Sequence, residues 1–375
     1  MESDHKGLPS FITQLNALIT NMRLYAADHP QSKRYLTAAC QDILNILQIR
    51  REVKLLLIGD DIVVDDQPIQ SDSANLIKFQ HILREHGVES IVFSRDLTKE
   101  EFQSFAENLS NTEGKTLHSS HSIKIGKVAL KVGSKKPEEI SENNENLSAI
   151  KALRDKRYDT IKELYFDAQH HKKFDIKGVD DIIQAFIKGF TDGLNPLGLL
   201  APLKSADEYT FTHVINVCIL TMGLAEALGF SGKHLYNIGV ASMLHDVGKL
   251  FIPSKIIDKP DRLTEKERSI IETHSIQGAR YILRLDNIPK IAVLGALEHH
   301  IKYDGSGYPN IKGGWKTNIV SQMITISDVF DALRSRRSYS DPKPMAMIFR
   351  ILNDEKGTTF NPFLVDTFMK IIMKS

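Results

Sequence analysis

The stretch EHHIKYDGSGYPN, residues 298–310, indicates how the second half of the chain folds. Two adjacent histidines, His299 and His300, stand just before a Gly-x-Gly turn that Tyr308 and Pro309 close. Ionisable side chains are costly to bury unless a partner compensates them. The sequence therefore predicts that something binds the two histidines, and that the other groups it requires stand elsewhere in the chain.

Candidate partners are imidazole and carboxylate side chains on separate, mostly apolar helices of the C-terminal half. They are His213, His245, Asp246, His274 and Asp328. His274 is expected on a helix that begins with the capping box Thr264-x-x-Glu267. A single histidine on an apolar helix is more often a satisfied core residue than a ligand. For the whole set that explanation fails, because burying so many ionisable groups without compensation costs several kcal/mol for each.

Imidazole and carboxylate without thiolate suit Fe, Mn, Zn or similar transition ions. Seven such groups that include the adjacent pair His245-Asp246 suit two metal ions, with the carboxylate able to bridge them. Two ions about 3.5–4 Å apart can generate hydroxide and hold a phosphoryl oxygen during in-line displacement. Phosphoester hydrolysis is therefore the reaction class that this pattern favours.

Two further charged residues stand close to these candidates in the sequence. Lys249 follows His245 by four residues, one turn along the same helical face, where a cation can hold a substrate phosphate or assist the leaving oxygen. Asp331 follows Asp328 by three residues and is expected to orient that lysine, with surface pairing as an equal alternative. Asp246, Lys249 and Asp331 are the candidate catalytic residues.

Four motifs in order carry a resemblance to a known family. HDVGK, IPSKIIDKPDRLTEKE followed by His274, HHIKYDGSGYP and ISDVFDALRSRRSY resemble the HD-GYP family of the HD phosphohydrolase superfamily. The resemblance implies an all-α HD-superfamily domain. It also implies a phosphodiesterase that uses a two-metal-activated hydroxide to hydrolyse cyclic di-GMP to linear pGpG, and in some members to GMP.

The resemblance also implies site residues and cofactors. The implied metal ligands are His213, His245, Asp246, His274, His299, His300 and Asp328, holding two divalent ions, with Fe or Mn expected. The implied substrate contacts are Lys249, Arg337, Gly307, Tyr308 and Pro309. The Gly-Tyr-Pro loop is also a candidate for contacts with signalling proteins, and its glycines fit a turn that needs positive φ.

Three positions depart from the family pattern. Ile301 stands where the family has Glu, Ser340 where it has Lys or Arg, and Tyr209 where three-metal members have Glu, which favours a two-metal site. Because no implied ligand is missing, an active enzyme is the favoured interpretation. The alternatives are a cyclic-dinucleotide sensor or protein-docking module and a hydrolase of another cyclic nucleotide. Trp315 is expected to pack under the loop or to stack on a guanine.

The composition of the chain limits the binding partners and the cellular compartment that can be expected. With 48 Lys and Arg against 47 Asp and Glu, the chain offers no electrostatic footprint for a nucleic-acid polymer or an anionic membrane. Two cysteines without a C-x-x-C spacing favour a reducing compartment. The N-terminus lacks the pattern of a signal peptide, and no stretch is apolar enough to span a membrane. We expect a cytoplasmic protein, with a homodimer left open.

The chain of 375 residues predicts a multidomain protein. An N-terminal α+β domain for regulation or interaction is expected over 1–133, a polar linker over 134–148, and the all-α domain over 149–375. The run VKLLLIGDDIVVDDQPI predicts a β-hairpin around Gly59-Asp60-Asp61. A phosphoacceptor receiver domain is disfavoured, since no helix follows the acidic pair.

Overall fold

The computed structural model describes a large part of the chain in two compact units, Met1–Ala129 and Leu130–Ser375. The described residues are 7–25, 27–59, 61–64, 67–69, 74–111, 117–127, 148, 152, 177–192, 194–200, 209–257, 259, 261–312, 315–335 and 342–373. Nearly all of the predicted linker lies outside these ranges, so the predicted domain boundaries stay a prediction.

The first unit is the expected α+β domain. Its helices are α1 (Leu8–Tyr25), α2 (Pro30–Ile49), α3 (Ala74–Glu85) and α4 (Lys99–Ser110), and its strands are β1 (Glu52–Ile58), β2 (Asp61–Val64), β3 (Gln67–Pro68), β4 (Ser90–Ser94) and β5 (Ile123–Gly126). The described strands form one antiparallel sheet in the order β3-β2-β1-β4-β5. Ile58 pairs with Asp61 across the predicted hairpin, and this antiparallel pairing differs from the parallel sheet of a receiver domain.

The core of the first unit lies between its helices and one face of the sheet. Phe11 of α1 packs edge-on against Phe93 of β4, with ring centroids 5.8 Å apart, and both side chains are fully buried. Tyr25, the last residue of α1, is exposed and its ring stacks on that of His29. Helix α4 begins with a capping box formed by Thr98 and Glu101.

The second unit contains helices and no named strand among its described residues, as expected. Its helices are α5 (Lys177–Thr191), α6 (Pro196–Leu199), α7 (Tyr209–Ala227), α8 (Gly232–Leu244), a 3₁₀ turn (Val247–Phe251), α9 (Ser254–Ile257), α10 (Glu265–Glu272), α11 (His274–Ile282), α12 (Lys290–Glu298), α13 (Ile319–Arg334), α14 (Met345–Asp354) and α15 (Pro362–Met373). The predicted fold class, an α+β domain followed by an all-α domain, is confirmed.

Helix α7 is central to the second unit and packs against α8 and α13. It is apolar around its circumference, with Val214, Cys218 and Leu224 buried, which is typical of a helix enclosed by others. Helix α12 packs against α8, α11 and α13. No helix among the described residues combines the length and the apolar character needed to cross a membrane.

Helix α11 begins later than predicted, because α10 and α11 are separate helices that meet at Thr273. The Thr273 amide donates to the carbonyls of Ile270 and Ile271, and its hydroxyl also donates to Ile270, so the hydrogen-bond ladder tightens there. His274 is consequently the first residue of α11, where the predicted helix continues from the capping box at Thr264.

Candidate metal centre

Seven side chains implied by the sequence meet in the interior of the helical unit. His213 comes from α7, His245 and Asp246 from the junction between α8 and the 3₁₀ turn, His274 from the start of α11, His299 and His300 from the end of α12, and Asp328 from α13. The segments that carry them pack together because their remaining faces are apolar. Six of the seven side chains are buried and His300 is partly buried.

The side chains form two donor groups that share one carboxylate. Potential ligand atoms of Asp246, His274, His299 and His300 lie within 4.8 Å of one another, as do those of His213, His245 and Asp246. Asp328 adjoins the second group, since its Oδ1 lies 3.0 Å from His213 Nε2. The geometry is therefore compatible with two ions, one on either side of Asp246.

Main-chain contacts determine which nitrogen each of three histidines turns inward. Nδ1 of His245, His274 and His299 lies 2.7–3.0 Å from a carbonyl oxygen three or four residues earlier in the chain. A carbonyl only accepts, so each Nδ1 carries the hydrogen and donates it. In its neutral form each ring would consequently present a bare Nε2 lone pair to the interior, which is the form that binds a metal ion.

Without a cation, these inward-facing nitrogen and oxygen atoms lack adequate hydrogen-bond partners. Nε2 of His274 and Nε2 of His299 face each other at 3.2 Å, although neither carries a hydrogen in the neutral tautomer. Asp246 Oδ1 lies 3.3 Å from His274 Nε2, and both Asp246 Oδ1 and His245 Nε2 are buried without a hydrogen-bond partner. A bound cation would satisfy all of these atoms, so the residues present fit a metal ion.

The ionisation states agree with ligand chemistry. Burial lowers the pKa of His274 to about 3 and holds the pKa of His300 well below its usual value, so both rings stay neutral. Burial alone would raise the pKa of Asp246, but the nearby Lys249 and His245 hold it well below its usual range. At neutral pH the site therefore combines bare imidazole nitrogens with an ionised carboxylate.

His213 is held between two carboxylates. Its Nδ1 lies 2.8 Å from Asp331 Oδ2 and its Nε2 lies 3.0 Å from Asp328 Oδ1. Burial would lower the pKa of His213, but the hydrogen bonds to Asp328 and Asp331 raise it to about 9. The Nε2 proton occupies the position where a metal ion would bind, while the Asp331 contact orients the ring from behind.

The expected contact between Asp331 and Lys249 is absent, and that prediction was wrong. Asp331 is fully buried and contacts His213, Asn216, Arg334 and Ser335. It lies one turn of α13 beyond Asp328, so both carboxylates point to α7 rather than to the 3₁₀ turn. The structure therefore gives Asp331 a positioning contact with His213.

Asp331→Asn is expected to weaken the binding of one metal ion by about 10–100-fold, because the His213 ring loses its carboxylate partner. Competition between the full chain and a fluorescent Mn²⁺ chelator measures this affinity. Asp354→Asn on the exposed end of α14 is the matched control and should leave both affinities unchanged. Equal Mn²⁺ affinities in Asp331→Asn and in the wild type would contradict the positioning contact.

Lys249 lies beside the shared carboxylate, but not on a continuation of α8. The α-helix ends at Leu244, and Lys249 is in the following 3₁₀ turn, where its Nζ lies 2.5 Å from Asp246 Oδ2. Its side chain is one-third exposed, so the ammonium is accessible from the solvent side of the donor groups. A cation in this position can contact an anionic ligand of the centre.

The Gly-Tyr-Pro loop covers His300. The Tyr308 ring lies 4.5 Å from the His300 ring, and the Tyr308 amide donates to the His300 carbonyl. Gly307 has φ 94°, and a Cβ there would stand 2.2 Å from that same carbonyl oxygen, so the loop requires glycine. Pro309 is the residue after Tyr308 and completes the Gly-Tyr-Pro motif. Arg337 and Ser340 lie outside the described residues, as does the side chain of Tyr209.

Ile301 is buried and forms an isolated antiparallel bridge with Gly307. The residue that departs from the family pattern therefore sits at the base of the loop, where an apolar side chain is enclosed by protein. It lies beside the donor groups in sequence without supplying a ligand atom. This placement agrees with a role for Ile301 in loop packing.

Two contributors to the site were not anticipated from the sequence. Glu298 is fully buried and accepts hydrogen bonds from Trp315 and from the Asn318 amide, which ties the end of α12 to the start of α13. Thr325 donates its hydroxyl to the His299 carbonyl at 2.8 Å. Such contacts between distant segments carry no periodic sequence pattern. Only the position of Glu298 immediately before the two histidines could have indicated it.

Comparison with known proteins shows what the helical unit is similar to. The HD domain family model matches residues 206–364. A cyclic di-GMP phosphodiesterase of Pseudomonas aeruginosa is 30% identical over 212 residues, 56% of this chain and 51% of that protein. A cyclic di-GMP phosphodiesterase of Thermotoga maritima is 33% identical over 229 residues, 60% of this chain and 61% of that protein. Residues 206–364 of the helical unit therefore match the HD domain family, and these relatives are named as cyclic di-GMP phosphodiesterases.

Other relatives show how partial the similarity is. A 3'3'-cGAMP-specific phosphodiesterase of Vibrio cholerae is 38% identical over 169 residues, 45% of this chain and 32% of that protein. The chain therefore spans roughly a third to three-fifths of the length of these relatives. A solved structure of an HDG"Y"P protein of Bdellovibrio bacteriovorus aligns with 87% of this chain and 95% of that one, at 13% identity and TM-score 0.48.

Proposed function

We propose that the helical unit is a metal-dependent phosphodiesterase that opens cyclic di-GMP to the linear dinucleotide. The observation that carries this proposal is the buried Asp246 carboxylate, which two inward-facing donor groups share and which keeps one oxygen without a hydrogen-bond partner. The relatives named as cyclic di-GMP phosphodiesterases support the substrate class.

Two divalent ions, with Fe and Mn as the first choices, fit the two donor groups. His213, His245, Asp246 and Asp328 would hold one ion, and Asp246, His274, His299 and His300 would hold the other. When bound, the ions supply positive charge that stabilises a transferring phosphoryl group and lowers the pKa of water. Burial keeps His274 and His300 neutral, and the nearby Lys249 and His245 keep Asp246 ionised. The main-chain contacts of the Nδ1 atoms fix the rings of His245, His274 and His299.

Two side chains beside the donor groups are suited to bind the substrate. The Lys249 side chain is one-third exposed next to Asp246, and its ammonium would contact a non-bridging phosphate oxygen. Burial raises the pKa of Tyr308, so its hydroxyl keeps its proton and would donate to the substrate. The Tyr308 ring also shields one side of His300 from water. Together the two donors would orient the phosphodiester between the two ligand groups.

Lys249→Met is expected to lower kcat/KM for cyclic di-GMP by about 10²–10³-fold while metal content stays near the wild-type level. Methionine keeps the aliphatic stem and removes the charge that stabilises the phosphate in the transition state. Lys255→Met, on the exposed surface of α9, is the matched control and should retain wild-type kinetics. An unchanged kcat/KM in Lys249→Met would show that the lysine does not contribute to the mechanism.

Hydrolysis of 3'3'-cGAMP is the second candidate activity, which the 38% identity to a 3'3'-cGAMP-specific phosphodiesterase favours. Both substrates share the cyclic phosphodiester ring, so the donor groups alone do not separate them. Chromatography of the products from Mn-loaded full chain, offered each dinucleotide in turn, distinguishes the two. If the fully metal-loaded chain binds cyclic di-GMP but releases no product from either dinucleotide, the proposed phosphodiesterase activity is overturned and a sensor is favoured.

A further inference from the structure

Trp315, the only tryptophan of the chain, is exposed and yet held in place. The residue is 42% exposed, so it is not enclosed by protein. Its Nε1 donates a hydrogen bond of 3.0 Å to Glu298 Oε1. The indole N–H edge therefore points into the protein, and the exposed surface belongs to the carbon framework of the rings.

The acceptor of this hydrogen bond is rigid. Glu298 is fully buried at the end of α12, and its second oxygen accepts from the Asn318 amide at 2.8 Å. Asn318 is the N-cap residue of α13, so the carboxylate bridges two helices that also carry His299 and Asp328. A large aromatic side chain anchored to such a bridge presents a ring of nearly fixed orientation, and binding a ligand there would cost little side-chain entropy.

The anchor lies next to the donor groups. Glu298 directly precedes His299 and His300, and consecutive Cα atoms are about 3.8 Å apart. The exposed indole surface is thereby tied to the same segment that would hold a metal ion and, through it, a phosphate. In a nucleotide the flat base is linked to its phosphate through a single sugar, so a phosphate at the donor groups brings a base close to this segment.

We propose that Trp315 is a stacking platform for one purine base of the substrate. An exposed apolar ring system anchored to the residue before His299 matches the π-face of a nucleobase, and stacking tolerates either purine. This inference rests on the proposed function, because it assigns the base-binding side of the same site. Glu298 acts as the positioning residue that sets the plane of the indole.

The single tryptophan makes the platform directly observable. Full chain loaded with Mn²⁺ is mixed with cyclic di-GMP in a stopped-flow fluorimeter, before product accumulates, and the indole emission is recorded. Stacked guanine is expected to quench that emission along the same saturation curve that equilibrium dialysis gives for binding. Free N-acetyltryptophanamide under the same conditions corrects for absorption by the nucleotide.

Substitution provides the second readout. Trp315→Ala is expected to raise the dissociation constant and the KM for cyclic di-GMP by about 5- to 150-fold, with kcat changed much less. Trp315→Phe, which keeps an aromatic face, should recover most of the affinity. Hydrolysis of bis(p-nitrophenyl) phosphate, which has no nucleobase, should be unaffected in both variants. Leu283→Ala, 70% exposed at the far end of α11, is the matched control.

The outcomes separate the two proposals. Wild-type binding and hydrolysis with no quenching, and unchanged KM in Trp315→Ala, would overturn the platform and leave the phosphodiesterase intact. A parallel loss of activity towards bis(p-nitrophenyl) phosphate in Trp315→Ala would also overturn the platform, since it would indicate general damage to the centre. Absence of any cyclic dinucleotide binding by the wild-type chain in dialysis would overturn the proposed function, and the platform with it.

Discussion

Asp246→Asn is expected to leave the purified full chain without bound metal and without phosphodiesterase activity. Asp246 is the one side chain that both donor groups share, and its carboxylate lies within 3.3–3.7 Å of the Nε2 atoms of three histidines. Asparagine keeps the shape but removes the negative charge and one acceptor oxygen. We expect kcat/KM to fall by about three orders of magnitude or more, since the loss of both ions removes their stabilisation of the transferring phosphoryl group.

Elemental analysis of purified protein and product chromatography measure the effect of Asp246→Asn. Its thermal unfolding in chelator, compared with the metal-free wild type, reveals whether the substitution acts through the metal ions or through the fold. Asp286→Asn, in the exposed turn after α11, is the matched control and should keep both ions. An Asp246→Asn protein that retained two ions and the wild-type rate would show that the shared carboxylate is not a ligand.

Gly248→Ala is expected to unfold or displace the junction that carries the metal centre. A Cβ at Gly248 would stand 1.8 Å from the His274 carbonyl oxygen and 2.6 Å from the Gly278 amide nitrogen. Both contacts are with backbone atoms, so the steric clash can be relieved only if the 3₁₀ turn moves away from α11. That movement would separate Asp246 from His274, and we expect the free energy of unfolding to fall by about 4 kcal/mol or more.

Urea unfolding of the metal-free chain, followed by circular dichroism, measures the cost of Gly248→Ala, and elemental analysis reports the accompanying loss of metal. Gly126→Ala at the end of β5, where an added Cβ meets nothing within 4 Å, is the matched control. Its effect should stay within about 1 kcal/mol. A Gly248→Ala chain with the stability and metal content of the wild type would show that the close approach of the 3₁₀ turn to α11 is not required.

Local patterns predicted the elements of the fold because they act over a few residues. The capping box at Thr98 starts α4, and the two-residue turn after Ile58 forms the hairpin. The donor groups could also be predicted, because several ionisable side chains on apolar helices would be costly to bury without a bound partner. The structure brings together the whole implied set from His213 to Asp328, although metal binding itself remains a proposal.

Partners across the chain could not be predicted in the same way. The spacing along α13 predicts the face of the helix on which Asp331 lies. It does not predict which side chain of α7 contacts that face, so the expected contact with Lys249 was wrong. The break at Thr273 depends on i→i+3 hydrogen bonds that no residue type there demands. Trp315 and Glu298 are 17 residues apart, and only the folded chain joins them.

The position of bound metal in crystals of the Mn-loaded full chain would decide whether the helical unit holds a two-ion phosphodiesterase centre. Anomalous scattering should give two Mn peaks about 3.5–4 Å apart on either side of the Asp246 carboxylate. One peak would contact His213 and His245, and the other would contact His274, His299 and His300. A single peak, or peaks that do not contact Asp246, would contradict a two-ion phosphodiesterase centre.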